Sequence, residues 1–142
     1  FNLAIGDRTA EEVKIKIGAA VPLEEELRVT IKGRDFIQGL PRSAQVGTNE
    51  IVKAIDNELK HIIKAIKDVL QETPPELASD IIDYGIIMTG GSSQLRNLAD
   101  LVYRKTGVKA TIADEALFCV AKGTGIALEH LDVYKKVVLS KK

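Results

Sequence analysis

The chain is poor in the residues that mark several protein classes. It has one cysteine, Cys119, and no tryptophan. A single thiol closes no internal disulfide, which points to a reducing, cytoplasmic setting. Charge of either sign is also missing in the net. Twenty Lys and Arg balance twenty Asp and Glu, so there is no overall basic excess of the kind a nucleic-acid partner asks for. The two histidines, His61 and His130, lie far apart with no metal-ligand spacing. No apolar run approaches the roughly 20 residues of a membrane helix, and no signal-peptide pattern is present. What remains is an ordinary composition, 45% hydrophobic and 28% charged over 142 residues, enough for one domain or two small lobes.

The stretch that carries most information is Ile86-Ile87-Met88-Thr89-Gly90-Gly91-Ser92-Ser93-Gln94-Leu95. Three apolar residues run into two glycines and two serines, and Leu95, Leu98, Leu101 and Val102 then recur at helical spacing. The pattern predicts a buried strand, a sharp glycine turn and a helix that begins in the serines. Glycine lets a backbone take positive φ and lets a ligand lie against it. A helix beginning there would offer its first N–H groups to an anion or a polar edge. The same Gly-Gly would serve a plain tight βα connection equally well. It is neither a P-loop nor a dinucleotide fingerprint, since it lacks both Gly-Lys-Ser/Thr and a third spaced glycine.

Taken in order, the chain opens at Phe1, with Leu3 and Ile5 apolar and nothing before them to pack against. We expect it to be a piece of a longer polypeptide. Asp7 to Ile17 reads as a helix, with Thr9 and Glu12 spaced as a capping box and Gly18 as its stop. Glu11 and Lys14 share one face of that helix, where a solvated ion pair is the simplest account of them. Glu26–Lys32 alternates polar and apolar as a half-buried strand. Gly33-Arg34-Asp35 reads as a turn, Asp35–Leu40 as a second strand and Ser43–Val46 as a third. A long helix follows, capped by Thr48 with Glu50 in its first turn. Its stripe of Ile51, Ile55, Leu59, Ile62, Ile63, Ile66 and Leu70 covers the sheet as core. Thr73-Pro74-Pro75 ends it, and a short helix runs from Pro75 to Ile82. After the glycine turn come a helix to Lys105, a strand over Val108–Ala113 and a last helix from Asp114 or Glu115. Gly123-Thr124-Gly125 is expected to interrupt that helix. Cys119 lies in its apolar pattern and reads as structural. Val133 to Lys142 reads as a loosely held basic tail.

The fold class is therefore α/β. A helix at 1–18 joins the lobes, a small antiparallel-sheet lobe at 19–72 is inserted, and a βαβ lobe at 73–132 closes the unit. If its strands are parallel, the βαβ crossover is right-handed.

These residues resemble the C-terminal part of the MreB family, the bacterial actin-like proteins of cell shape. The matching stretches are Ile5-Gly6-Asp7-Arg8-Thr9-Ala10-Glu11-Glu12-Val13-Lys14-Ile15, Gly33-Arg34-Asp35 with Gly39-Leu40-Pro41-Arg42, Thr73-Pro74-Pro75-Glu76-Leu77-Ala78-Ser79-Asp80-Ile81-Ile82-Asp83, Thr89-Gly90-Gly91, and Cys119-Val120-Ala121 with Gly123-Thr124-Gly125. Together they span almost the whole chain.

The resemblance implies domain II of an actin-like ATPase fold (ribonuclease H-like), with 19–72 as its IIB part and 73–132 belonging to IIA. It implies ATP or ADP with Mg as cofactor. Glu11, Lys14, Gly90, Gly91, Ser92 and Ser93 would stand on the adenosine and α-phosphate side. The phosphate loops, most metal contacts and the water-orienting acid would lie upstream, outside this sequence, so this stretch alone would turn over no ATP. It further implies homopolymer filaments, partners among membrane-associated cell-shape and wall-synthesis proteins, and a place at the inner face of the cell membrane. Members of the family usually carry glycine and alanine where this chain has Ser92 and Ser93. That departure keeps a second possibility open, a non-catalytic actin-like scaffold whose nucleotide site has drifted.

Overall fold

The computed structural model describes residues 1–138. A short strand, β1 (Leu3–Ala4), leads into helix α1 (Asp7–Ile17). The helix starts before the expected capping box. Gly6 is its N-cap, the Ala10 N–H already donates to the Gly6 carbonyl at 3.1 Å, and Glu12 pairs with Arg8 at 3.3 Å instead. Asp7 in the first turn suits the helix dipole.

Strands β2 (Arg28–Asp35) and β3 (Pro41–Gly47) pair antiparallel, and β1 adds to the free edge of β2. The sheet differs from the three consecutive strands read from the sequence. β2 runs straight through Gly33, because that is where β1 crosses: a Cβ on Gly33 would stand 2.2 Å from the Ala4 carbonyl oxygen. The turn lies further on, where Gly39 takes φ +71°. Asp35 holds this turn. Its Oδ1 accepts the N–H groups of Ile37 at 2.8 Å and Gln38 at 3.0 Å, and its Oδ2 accepts from Arg42 at 2.6 Å. Arg42 also donates to the Phe1 carbonyl. One buried carboxylate thus ties the turn, β3 and the start of the chain together.

Helix α2 (Thr48–Glu72) has 25 residues and is about 37 Å long at 1.5 Å per residue. Thr48 is its first residue rather than its cap. The Glu50 carboxylate accepts the Gly47 N–H at 2.9 Å, while the fully buried Thr48 hydroxyl donates to the Leu27 carbonyl. Early in α2, Ile51 packs with Val13, Ile17, Ile31 and Val46 under the sheet. Further along, Ile55 and Leu59 join a second cluster with Ala20 and Leu98. The long helix is therefore shared by both cores, and Val52, absent from the expected stripe, is buried with it.

Helix α3 (Pro75–Tyr84) has Pro75 in its first turn, as expected. Strands β4 (Ile86–Met88) and β5 (Ala110–Ile112) are parallel, with helix α4 (Leu98–Thr106) between them. α4 does not begin in the serines. Gly91–Gln94 forms only a short 3-10 turn, and the chain then leaves the helical path. The Arg96 carbonyl accepts the Ala20 N–H at 2.8 Å, and Asn97 takes a left-handed φ of 61° before α4 starts. The demand of residues 19–20 for a backbone partner breaks the helix.

Helix α5 (Cys119–Glu129) runs without interruption through Gly123-Thr124-Gly125, contrary to the sequence expectation. The Thr124 hydroxyl bonds back to the Val120 carbonyl at 2.8 Å, and an added Cβ on either glycine would meet nothing within 4 Å. Leu131–Val138 is a further helix, α6. The tail expected from Val133 is thus helical as far as Val138, and Lys141-Lys142 lies outside the described residues.

The Asp35 clamp yields a test. The backbone N–H groups of Gln38 and Ile37, with Arg42 beside them, hold its carboxyl below the ordinary 3.8 against the opposing effect of burial. A lowered folded pKa contributes stability that is present above the unfolded value and lost as pH falls through the folded one. Asp35→Asn should lower the thermal midpoint by several degrees at neutral pH. The gap to the unsubstituted protein should narrow as pH is taken down through and below 3.8. Melts followed by circular dichroism across that range check both.

Candidate functional site

A cavity of about 570 Å³ opens where α1, α2 and the turn after β4 meet. Its size is ordinary for a small-molecule site. α1 supplies Lys14, Ile15 and Gly18, α2 supplies Ile55, Glu58, Leu59 and Ile62, and the turn supplies Gly91, Ser92 and Gln94. Leu95, Arg96 and Leu98 complete the lining.

The turn is shaped by its glycines. Gly90 takes φ +84° and ψ 168°, a conformation essentially open only to glycine, and its N–H donates to the Ala116 carbonyl at 2.7 Å. A Cβ on Gly91 would stand 3.1 Å from Leu117. Ser93 is buried, and its hydroxyl donates to the Gly90 carbonyl at 2.7 Å. Ser92 is exposed toward the cavity mouth.

The approach of α1 to this turn depends on Gly18. A Cβ there would stand 2.3 Å from the Lys14 carbonyl oxygen and 3.1 Å from Leu95 Cδ1. Just beyond, Ala19 and Arg96 form a parallel bridge.

Of the six residues singled out from the sequence, Lys14, Gly91 and Ser92 line one cavity from opposite sides. Glu11 lies one helical turn before Lys14 on exposed α1 surface. Gly90 and Ser93 sit in the turn just behind the lining. Among the described residues Glu11 and Lys14 make no ion pair with each other; the pair on α1 is Arg8 with Glu12.

Sequence reasoning missed Ile15, Gly18, Gln94 and the α2 wall. The wall carried no separate signal, since Ile62 and Ile63 both fit a core-facing stripe; in the structure Ile63 is buried and Ile62 is 44% exposed beside the cavity.

Chemically, the cavity pairs an ammonium group and a glycine turn with an apolar wall. That suits a ligand with one polar or anionic end and one flat apolar end. Among the described residues no group of three His, Cys, Asp or Glu side chains could hold a metal ion, and no helix is long and apolar enough to cross a membrane.

This architecture, a small antiparallel sheet and helices beside a parallel βαβ unit, is that of the actin-like ATPases. It superposes on MreB5 of Spiroplasma citri bound to ADP with a TM-score of 0.86 at 36% identity, covering 99% of this chain and 42% of that one. For the same protein bound to AMPPNP the TM-score is 0.85, covering 96% and 40%. A non-polymerising alanine-to-aspartate mutant of MamK bound to AMPPNP matches with a TM-score of 0.63 at 25% identity, over 82% of this chain and 35% of that one.

The sequence matches the model of the MreB/Mbl protein family over residues 1–136, and the chain belongs to that family. The cell shape-determining protein Mbl of Bacillus subtilis (strain 168) is 41% identical over 140 residues, 99% of this chain and 42% of that protein. The cell shape-determining protein MreB of Escherichia coli (strain K12) is 42% identical over 134 residues, 94% of this chain and 39% of that protein. The chain thus spans about two-fifths of the length of these relatives.

The site also settles what to expect of the one thiol. Cys119 is half-buried at the start of α5, with its sulfur 3.7 Å from the Asp114 carbonyl oxygen and 3.8 Å from that of Glu115. It should react slowly with a thiol reagent in the folded protein and quickly after unfolding, as timed labelling would show.

Proposed function

We propose that this chain is the nucleoside-binding part of an actin-like, ATP-dependent cell-shape protein. The observation that carries the reading is the cavity that brings Lys14 of α1 to the Gly91-Ser92 turn. These residues match the family's motif on both sides of a nucleotide, and the MreB5 structures were determined with AMPPNP and ADP bound. Lys14 donates to the ribose or base, with Glu11 one turn away on the same face. The glycine turn admits the sugar and α-phosphate without steric cost. Mg would be held by the phosphates and by parts of the longer protein.

That a longer protein is involved is supported by the surface of the α/β lobe as well as by the length of the relatives. Ile87, Leu117, Val120 and Leu128 are each at least 60% exposed, on or near a sheet of only two strands. Two strands alone are marginal in water, and apolar surface of this kind marks a buried interface. In this reading the intact protein polymerises with itself into filaments, a reading supported by the similar MamK, of which a non-polymerising mutant is known. It guides wall synthesis at the inner face of the cell membrane together with membrane-associated cell-shape proteins.

Two measurements test the proposal. Lys14→Ala in the intact protein should weaken ATP binding by about tenfold or more, about 1.4 kcal/mol, beyond the few tenths that an exposed helix ion pair supplies. An unchanged dissociation constant would refute the assignment. The 142-residue chain by itself should bind adenosine and ATP about equally and weakly, with no turnover, because in-line attack on a γ-phosphate needs groups beyond those in this cavity. Micromolar, Mg-dependent ATP binding in calorimetry would show that the phosphate site lies here after all.

A further inference from the structure

The cavity is chemically divided. Lys14 of α1 and Gly91 and Ser92 of the turn are among its polar positions, while Ile55, Leu59 and Ile62 of α2 form an apolar row. Their spacing of four and three residues stacks the three side chains on one helix face. The row spans about 10 Å along the α2 axis at 1.5 Å per residue, and Leu59 is buried at its middle. Glu58 is the one carboxylate in the lining and belongs to the α2 side. A phosphate chain is repelled there. A nucleotide therefore enters with its sugar and phosphates at the glycine turn and its base toward α2. The edge of adenine opposite the glycosidic nitrogen, which carries the exocyclic amine, then faces the apolar row.

We propose that the cavity has an apolar arm along Ile55, Leu59 and Ile62 that accepts an apolar substituent on the exocyclic amine of an adenine nucleotide. This rests on the nucleotide reading above and extends it to a ligand class, the N6-alkyl and N6-benzyl adenine nucleotides. A benzyl group moved from water onto such a wall gains affinity in proportion to the apolar area covered.

Calorimetry on the full-length protein with ADP and with N6-benzyl-ADP tests it. The benzyl derivative should bind about fivefold tighter or more, and a smaller ratio overturns the arm. Ile62→Glu places a charge in the row at a position already 44% exposed, so the fold should tolerate it; an unchanged circular dichroism spectrum would confirm this. The variant should reduce the ratio of the two affinities, and an unchanged ratio overturns the arm. Should Ile62→Glu fail to fold, Ile55→Phe, which fills the row with a neutral group, should reduce the same ratio, and an unchanged ratio again overturns the arm. Absence of ADP binding in the unsubstituted protein would overturn the nucleotide reading and the arm with it. ADP binding without the benzyl advantage would overturn the arm alone.

Discussion

The hydrogen bond from the Ala20 N–H to the Arg96 carbonyl is the contact on which the site depends. It joins the segment leaving α1 to the segment leaving the glycine turn, which lie 76 positions apart in the chain (96 − 20). It is flanked by the parallel bridge of Ala19 with Arg96 and by the packing of Ala20 with Leu98 and Leu95. With it, Lys14 and Ser92 are kept on facing walls of one cavity. The bond needs three concessions nearby. Gly18 gives up a side chain so that Leu95 can approach, Asn97 accepts a left-handed backbone, and the helix after the turn is cut to a single 3-10 turn. Each costs local stability, of order 1 kcal/mol for a strained or glycine position. Burial of Ala20, Leu59 and Leu98 around the junction offsets them.

This junction also explains what could be read from the sequence and what could not. The elements were legible because they rest on local signals. α1, α3 and the parallel β4–α4–β5 unit follow from apolar spacing, Pro75 and the Gly107 stop. The errors fall where a distant partner overrides a local pattern. Thr9 and Glu12 have capping-box spacing, but an extended Gly6 starts the helix first. Gly33 looks like a turn residue, yet it is the point where β1 crosses β2. The serines look like a helix start, but Arg96 is claimed by Ala20. Gly6 lies close to Thr9, but the partners of Gly33 and Arg96 are not visible in a window of a dozen residues.

The candidate site was legible by half, for a related reason. Lys14, Gly91 and Ser92 stood out through residue type and through their resemblance to a family motif. The α2 wall has no motif, because an apolar row at helical spacing signals core whether it meets protein or ligand. The structure assigns Ile63 inward and Ile62 to the cavity.

The serines at 92 and 93 add two hydroxyls to the glycine turn, and their geometry shows how the turn takes them up. A buried hydroxyl left without a partner would cost about 1–3 kcal/mol. Ser93 avoids that cost by donating to the Gly90 carbonyl, the residue that bears the turn's positive φ. The bond closes the turn on itself at the point where the backbone is most unusual, so the added side chain restrains the conformation that glycine permits. Ser92 has no such constraint, because it is exposed and lines the cavity, to which it adds a polar group. The two serines therefore act on different parts of the cavity wall, one on the shape of the turn and the other on the chemistry of the surface it presents.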